Sequence, residues 1–215
     1  MKKVIILLVA LVGINGATAQ GCLPEGITFT SQAQIDSFQI NYPGCTQIEG
    51  VVHINGSDIS NLNGLSVLTS IGNTLEIAGN AILTNLTGME NLTSIGGCVY
   101  IYSNNNLTSL TGLENLASIW EFLEIGANDA LISLTGVENL SFVGDCLEIY
   151  FNPKLTSLMG LENLTSIGGC LQIFENPSLT SLTGLDNIES GSIIGLSITN
   201  NSLFAHPLFK KDRKI

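Results

Sequence analysis

The chain is poor in positive charge. Its 215 residues carry seven Lys and Arg against eighteen Asp and Glu, for a net charge of −11. The basic residues sit almost entirely at the termini: Lys2, Lys3, Lys210, Lys211, Arg213 and Lys214. Between Gln20 and Phe209 only Lys154 stands against seventeen acids, a balance of −16. Such a surface repels nucleic acid and anionic membrane and excludes both as partners. It also argues against a polysaccharide lyase, which needs basic groups to hold an acidic sugar and take its proton. Histidine is scarce too. His53 and His206 lie at opposite ends of the chain, so neither a Ser-His-Asp nor a Cys-His catalytic arrangement is expected. No cofactor motif and no metal-ligand spacing is present, and the chain reads as non-enzymatic.

Long apolar runs are also missing, with one exception at the start. Lys2 and Lys3 precede nine apolar residues, Val4 to Val12, and Ala17-Thr18-Ala19 follows with small residues at the cleavage spacing. The run is shorter than the roughly 20 residues that span a bilayer. Residues 1–19 therefore read as a signal peptide, with the mature chain exported to the cell surface or beyond and lacking a transmembrane segment. A lipid anchor on Cys22 competes with this reading, but Ala19 stands where a lipoprotein signal usually carries Leu.

What the chain has in abundance is repetition. Gly64, Gly88, Gly112, Gly136, Gly160 and Gly184 fall 24 residues apart, as do Asn80, Asn104, Asn128, Asn152, Asn176 and Asn200. A fixed period of this size marks a solenoid, whose coils bury their apolar side only by stacking. Within a copy, Leu171 and Ile173 alternate with polar residues, as in a short strand. Leu179, Leu182, Leu185 and Ile188 then recur every third residue, which suits a chain turning corners around a narrow core. Strand heads from Val52/Ile54 to Leu196/Ile198 predict about seven coils and one parallel sheet of seven strands, stacked at about 4.8 Å. The last head comes 25 residues after its counterpart. The spacing predicts a bulge near Gly191 to Gly195, with the step regained by Asn200. The asparagine column reads as structural, satisfying turn groups along the stack.

Residues 20–45 depart from the repeat and form an N-terminal cap. Thr30 or Ser31 would cap a short helix up to Ile40, covering the raw end of the first coil. Residues 46–204 form the repeat domain, and 205–215 are a tail or the start of a continuation. Of five cysteines, Cys22 and Cys45 flank the non-repeat segment and form the expected disulfide. Cys98, Cys146 and Cys170 share one column. Stacked strands about 4.8 Å apart exceed the ~3.8 Å Cβ separation of a disulfide, so Cys146 and Cys170 are expected as thiols unless the coils pinch together.

The stretch Gly44-Cys-Thr-Gln-Ile-Glu-Gly-Val-Val-His-Ile54 resembles the opening of receptor L-domains, and the Leu-x-x-Leu-x-Gly-Leu copies that follow resemble secreted leucine-rich-repeat proteins of the Bacteroidetes. The resemblance covers residues 22–204. It implies a mainly β, right-handed parallel solenoid with a disulfide-linked helical cap, and a role in binding or at the cell surface. It is specific for fold and silent on ligand.

The candidate contact surface is the outward side of the strands: Tyr100, Tyr102, Tyr150 and Phe174, beside Glu124, Glu148 and Gln172. Aromatics next to carboxylates on a flat sheet suit a protein or glycan partner, while stacking between coils is the plainer role for the same rings. Trp120 and Phe122 replace the Gly and Cys of their columns and mark a second candidate contact. The acidic column Glu90, Glu114, Glu138, Glu162 and Asp186 supplies too few oxygens per coil for calcium, and its acids are expected to be solvated or to bond turn amides. The threonine column of Thr84, Thr108, Thr156 and Thr180 is interrupted by Ile132, which argues against an ice-binding array. A structural spacer or adhesin segment of a larger surface protein is the alternative to a binding module.

Overall fold

A computed structural model describes residues 20–189 and 191–203. The expected signal peptide and the tail after residue 204 lie outside the described residues. The chain winds into a parallel β-solenoid of about seven turns with two short helices at its start.

Each coil contributes to two sheets rather than one. The strand heads form an eight-stranded parallel sheet that runs from Ile27–Phe29 through Val52–Ile54, Leu75–Ala78, Val99–Tyr102, Leu123–Gly126, Leu147–Tyr150 and Cys170–Phe174 to Gly195–Thr199. The expectation of seven strands is short by one, because Ile27–Phe29 pairs in register with Val52–Ile54 ahead of the first full repeat. A second, seven-stranded sheet was not expected. It is built from Gln20–Cys22, Cys45–Ile48 and then two-residue strands such as Ser94–Ile95 and Ser118–Ile119. Two residues are too few to show an alternating pattern, so the sequence carries no strand rhythm there.

The core is a column of aliphatic side chains. Leu123, Ile125, Leu131, Leu134, Val137, Leu140 and Val143 of one coil are all buried, and their counterparts above and below repeat them. Every third residue turns inward because the segment after the strand rounds the coil in successive tight turns. Gly112 sits at one of these corners with φ +115°, and a Cβ there would lie 2.1 Å from the Leu86 carbonyl oxygen of the preceding coil. Both the left-handed backbone and the close approach require glycine at this column.

Helix α1 (Gln32–Asp36) and helix α2 (Phe38–Asn41) cover the first coil. Ile35 and Phe38 are fully buried, and Phe38 meets Phe29 edge-on at 5.8 Å. Ser31 stands at the N-cap of α1 without a side-chain capping bond. Instead Gln34 reaches back, and its Oε1 accepts from the Thr30 backbone N–H at 2.6 Å. The Cys22–Cys45 disulfide ties this cap to the coil stack, with Cα atoms 5.7 Å apart.

Cys146 and Cys170 also form a disulfide, which corrects the expectation of free thiols. Their Cα atoms are 4.3 Å apart, closer than the usual strand spacing, so the coils do pinch at this point. Cys98, in the same column, is a free thiol.

The asparagine column is buried in the turn after each strand. Asn80, Asn104, Asn128, Asn152 and Asn176 have no exposed surface. The Asn104 backbone N–H donates to Asn128 Oδ1 at 3.0 Å, and its Nδ2 donates to the Ile77 and Tyr102 carbonyls at 2.8 and 3.1 Å. The bonds between rungs recur along the column, and Asn80, Asn152 and Asn176 also bond a carbonyl of their own turn as Asn104 does. At the last rung the ladder is carried by Asn201, not Asn200. Asn201 Oδ1 accepts from Asn176 N at 3.0 Å, and its Nδ2 donates to the Ile173 carbonyl at 2.8 Å. The one-residue slip persists through this position and is regained at Ser202, whose hydroxyl donates to the Pro177 carbonyl as Ser178 does to Pro153. Asn200 takes a different place, with φ 55°. That left-handed position precedes the ladder residue in each turn and is held by Gly79, Ser103, Ala127, Phe151 and Glu175 in earlier coils. Asparagine and glycine adopt it readily, while the others cost about 1–2 kcal/mol of local strain that the ladder bonds offset.

Candidate binding face

The outward side of the eight-stranded sheet carries two columns of side chains. Strand register aligns His53, Glu76, Tyr100, Glu124, Glu148 and Gln172 in one column. It aligns Ala78, Tyr102, Gly126, Tyr150, Phe174 and Thr199 in the other. All four candidate ring residues therefore lie on one face: Tyr100 in the first column, and Tyr102, Tyr150 and Phe174 in the second.

The second column alternates small and large at its start, and that alternation sets the geometry. Tyr102 follows Ala78, and Tyr150 follows Gly126. Each tyrosine leans back over the small residue of the preceding coil and donates its hydroxyl to the glutamate there, Tyr102 to Glu76 and Tyr150 to Glu124. The lean is tight at Gly126, where a Cβ would meet the Tyr150 ring at 2.4 Å. Phe174 lies parallel to Tyr150 with centroids 5.1 Å apart. Phe151 meets both rings edge-on and remains 51% exposed. Its left-handed backbone swings this ring outward, an effect that the strand pattern conceals because Phe151 falls just after the strand.

The electrostatics follow from this packing. The bond to Glu76, then burial and the carboxylate charges, push the Tyr102 hydroxyl up to about 12. Burial and the bond to Glu124 push Tyr150 higher still. Tyr100 is pushed up to about 12, first by the neighbouring Cys98 thiol and then by burial. Burial raises the Glu148 carboxyl above its usual range, and the Glu124 charge on the next strand adds to it. At the other end of the column His53 Nδ1 lies 2.7 Å from Glu76 Oε2. Glu76, Tyr100, Tyr102 and Glu124 together line an open hollow in the face. Glu76 and His53 as members of this surface were missed from sequence. Their signal was present in the alternating Val-His-Ile of residues 52–54 and Leu-Glu-Ile of residues 75–77.

Other candidate features are absorbed by the fold. Glu114 accepts from the Gly112 N–H with both oxygens at 3.0 Å, and Glu90, Glu138 and Glu162 repeat the bond. The adjacent asparagines form a second, outer ladder, with Asn115 Nδ2 donating to the Glu90 carbonyl at 2.7 Å. Thr108 donates to the Thr84 carbonyl. Trp120 is exposed and stands edge-on to Phe142 at 6.1 Å, and Phe122 lies 6.0 Å from Tyr100. Among the described residues, no group of three or more His, Cys, Asp or Glu gathers to hold a metal ion. No described helix is long and apolar enough to cross a membrane.

Residues 44–131 match the family model of the receptor L domain. This stretch holds His53, Glu76, Tyr100, Tyr102 and Glu124, while Tyr150, Phe151 and Phe174 stand on later coils of the same sheet. Nothing matches the chain significantly among curated proteins or solved structures. A receptor L domain suggests a ligand-binding, non-enzymatic module, and this match together with the two disulfides fits an extracellular protein.

Proposed function

We propose that the chain is an exported, non-enzymatic binding module that recognises a protein or glycan at the cell surface through the outward face of its eight-stranded sheet. The observation that carries this reading is where the repeat varies. Inward positions and the asparagine and glycine columns of the turns hold the same residue types from coil to coil, while the outward strand positions change at nearly every rung and gather Tyr100, Tyr102, Tyr150 and Phe174. Packing in the core and in the asparagine ladder needs sameness, so those demands do not account for a concentration of differing aromatic and acidic residues on one face. The basic and apolar start of residues 2–12 supports export.

Pull-down and glycan-array screens with the purified protein are the test. A ligand found this way should lose about tenfold or more in affinity when Tyr102→Ala and Tyr150→Ala are combined, as expected for anchor aromatics. Binding unchanged by that pair discards the face. Turnover of a polysaccharide, abolished by a single carboxylate substitution, would replace the reading with an enzymatic one.

A spacer within a larger surface protein is the second reading. Leu196, the counterpart of fully buried Leu171, is 54% exposed at the final strand, which suits an end on which further structure stacks. An open reading frame continuing past Ile215, with a protein that captures no ligand, would favour it.

A further inference from the structure

We infer that the hollow between Glu76 and Glu124 seats a cationic side chain, an arginine or lysine of a basic protein partner. This rests on the proposed binding face and names the chemistry of what that face takes.

The argument begins with the two walls. Glu76 and Glu124 stand on strands two rungs apart, with Tyr100 on the strand between them. Among the described residues neither carboxylate has a Lys or Arg partner. Glu76 meets His53 and the Tyr102 hydroxyl, and Glu124 meets the Tyr150 hydroxyl. A tyrosine hydroxyl gives a carboxylate one hydrogen bond and no counter-charge, so Glu124 keeps its negative field, and Glu76 keeps its own wherever His53 is neutral. Tyr100 and Tyr102 complete the lining with aromatic surface. Carboxylates flanking tyrosine rings attract a cation twice, by charge and through the ring quadrupole.

The second observation lies one rung away. Glu148 is in register with Glu124. Among the described residues its carboxyl has no hydrogen-bond or ion-pair partner. Two carboxylates on strands about 4.8 Å apart repel, and the raised Glu148 carboxyl registers that repulsion in part. Among the described residues no Lys or Arg relieves it. Lys154 is the lone Lys or Arg of the described residues, which carry all seventeen acids between Gln20 and Phe209, and it forms no ion pair. Charge complementarity therefore selects a basic occupant over a neutral sugar or an acidic peptide.

Titration calorimetry with a tetra-arginine peptide at fixed ionic strength tests this. A tetra-citrulline peptide of the same shape serves as the neutral control. Tetra-arginine should bind and tetra-citrulline should not. Glu76→Gln combined with Glu124→Gln keeps acceptors for both tyrosine hydroxyls and should weaken binding by about tenfold or more. Asp129→Asn combined with Glu189→Gln removes the same charge from exposed sites off this face, and should weaken it by less than about twofold. No binding of tetra-arginine overturns the inference, and so does equal weakening by the two double variants. If screened ligands prove neutral yet depend on Tyr102 and Tyr150, the binding face stands and the cationic inference alone falls.

Discussion

The asparagine ladder and the outward sheet face lie a few residues apart on every coil, yet they obey opposite rules. In the ladder, Asn80, Asn104, Asn128, Asn152 and Asn176 repeat one set of bonds without variation. On the face, neighbouring rungs present Glu76, Tyr100, Glu124, Glu148 and Gln172 in turn. A buried amide between coils must meet the same carbonyls at every step, so any change strands polar groups. An outward side chain meets water and its two neighbours, so it can change at small cost. Sameness marks what holds the coils together, and variation marks what is free to meet something else.

The comparison can be broken at four points. The largest effect is expected at the core beneath the face. Ile149 is fully buried between coils, and Ile149→Asp should place an unpaired charge there and abolish cooperative folding; thermal unfolding followed by circular dichroism would reveal a surviving transition. Next is the ladder itself. Asn152→Ala removes donors to the Ile125 and Tyr150 carbonyls and the acceptor for Asn128 N, and should cost about 1–3 kcal/mol in denaturant melts. A melt like that of the parent would place the ladder's importance elsewhere.

The face should respond more mildly. Gly126→Val drives the Tyr150 ring off its seat, and losing the bond to Glu124 should cost about 1 kcal/mol while the fold persists. The Tyr150 hydroxyl should then titrate lower, seen as tyrosinate absorbance at a less alkaline pH. The smallest effect concerns Tyr102. Its hydroxyl ionises at about 12 in the folded chain against 10.0 for a free tyrosine, so the folded state holds the proton more tightly. The stability from this bond is fully present below pH 10 and is lost as pH rises toward 12. Glu76→Ala should bring Tyr102 back toward its free value and remove that slope, with little change in neutral solution. A Tyr102 titration indifferent to Glu76 would dissolve the pairing.

Much of the fold was legible because a solenoid writes itself into the sequence at a constant step. Leu171 and Ile173 point inward by alternation alone, and the asparagine and glycine columns stand out by their period. The differences have separate, local causes. Asn200 kept the 24-residue step and was taken for a ladder residue, while the backbone around Gly191 to Gly195 moved the ladder to Asn201. The second sheet was missed since two-residue strands show no rhythm. The Cys146–Cys170 bridge stays open in the sequence because an average strand spacing carries no trace of a local approach of 4.3 Å.

The candidate face was half legible. Alternation identified Tyr100, Tyr102, Tyr150 and Phe174 as outward-pointing. It could not show that Tyr102 and Tyr150 lie down over Ala78 and Gly126 to reach Glu76 and Glu124, since that depends on which residue the stacking places one coil away. Nor could it show that the left-handed turn sends Phe151 outward beside them.

The sequence by itself determined the coil: its length, its inward leucines and the asparagine at its turn, because each is a local requirement repeated at one spacing. Only the tertiary structure decided which side chains from different coils share a surface, because that follows from strand register, and a single slipped residue is enough to change it.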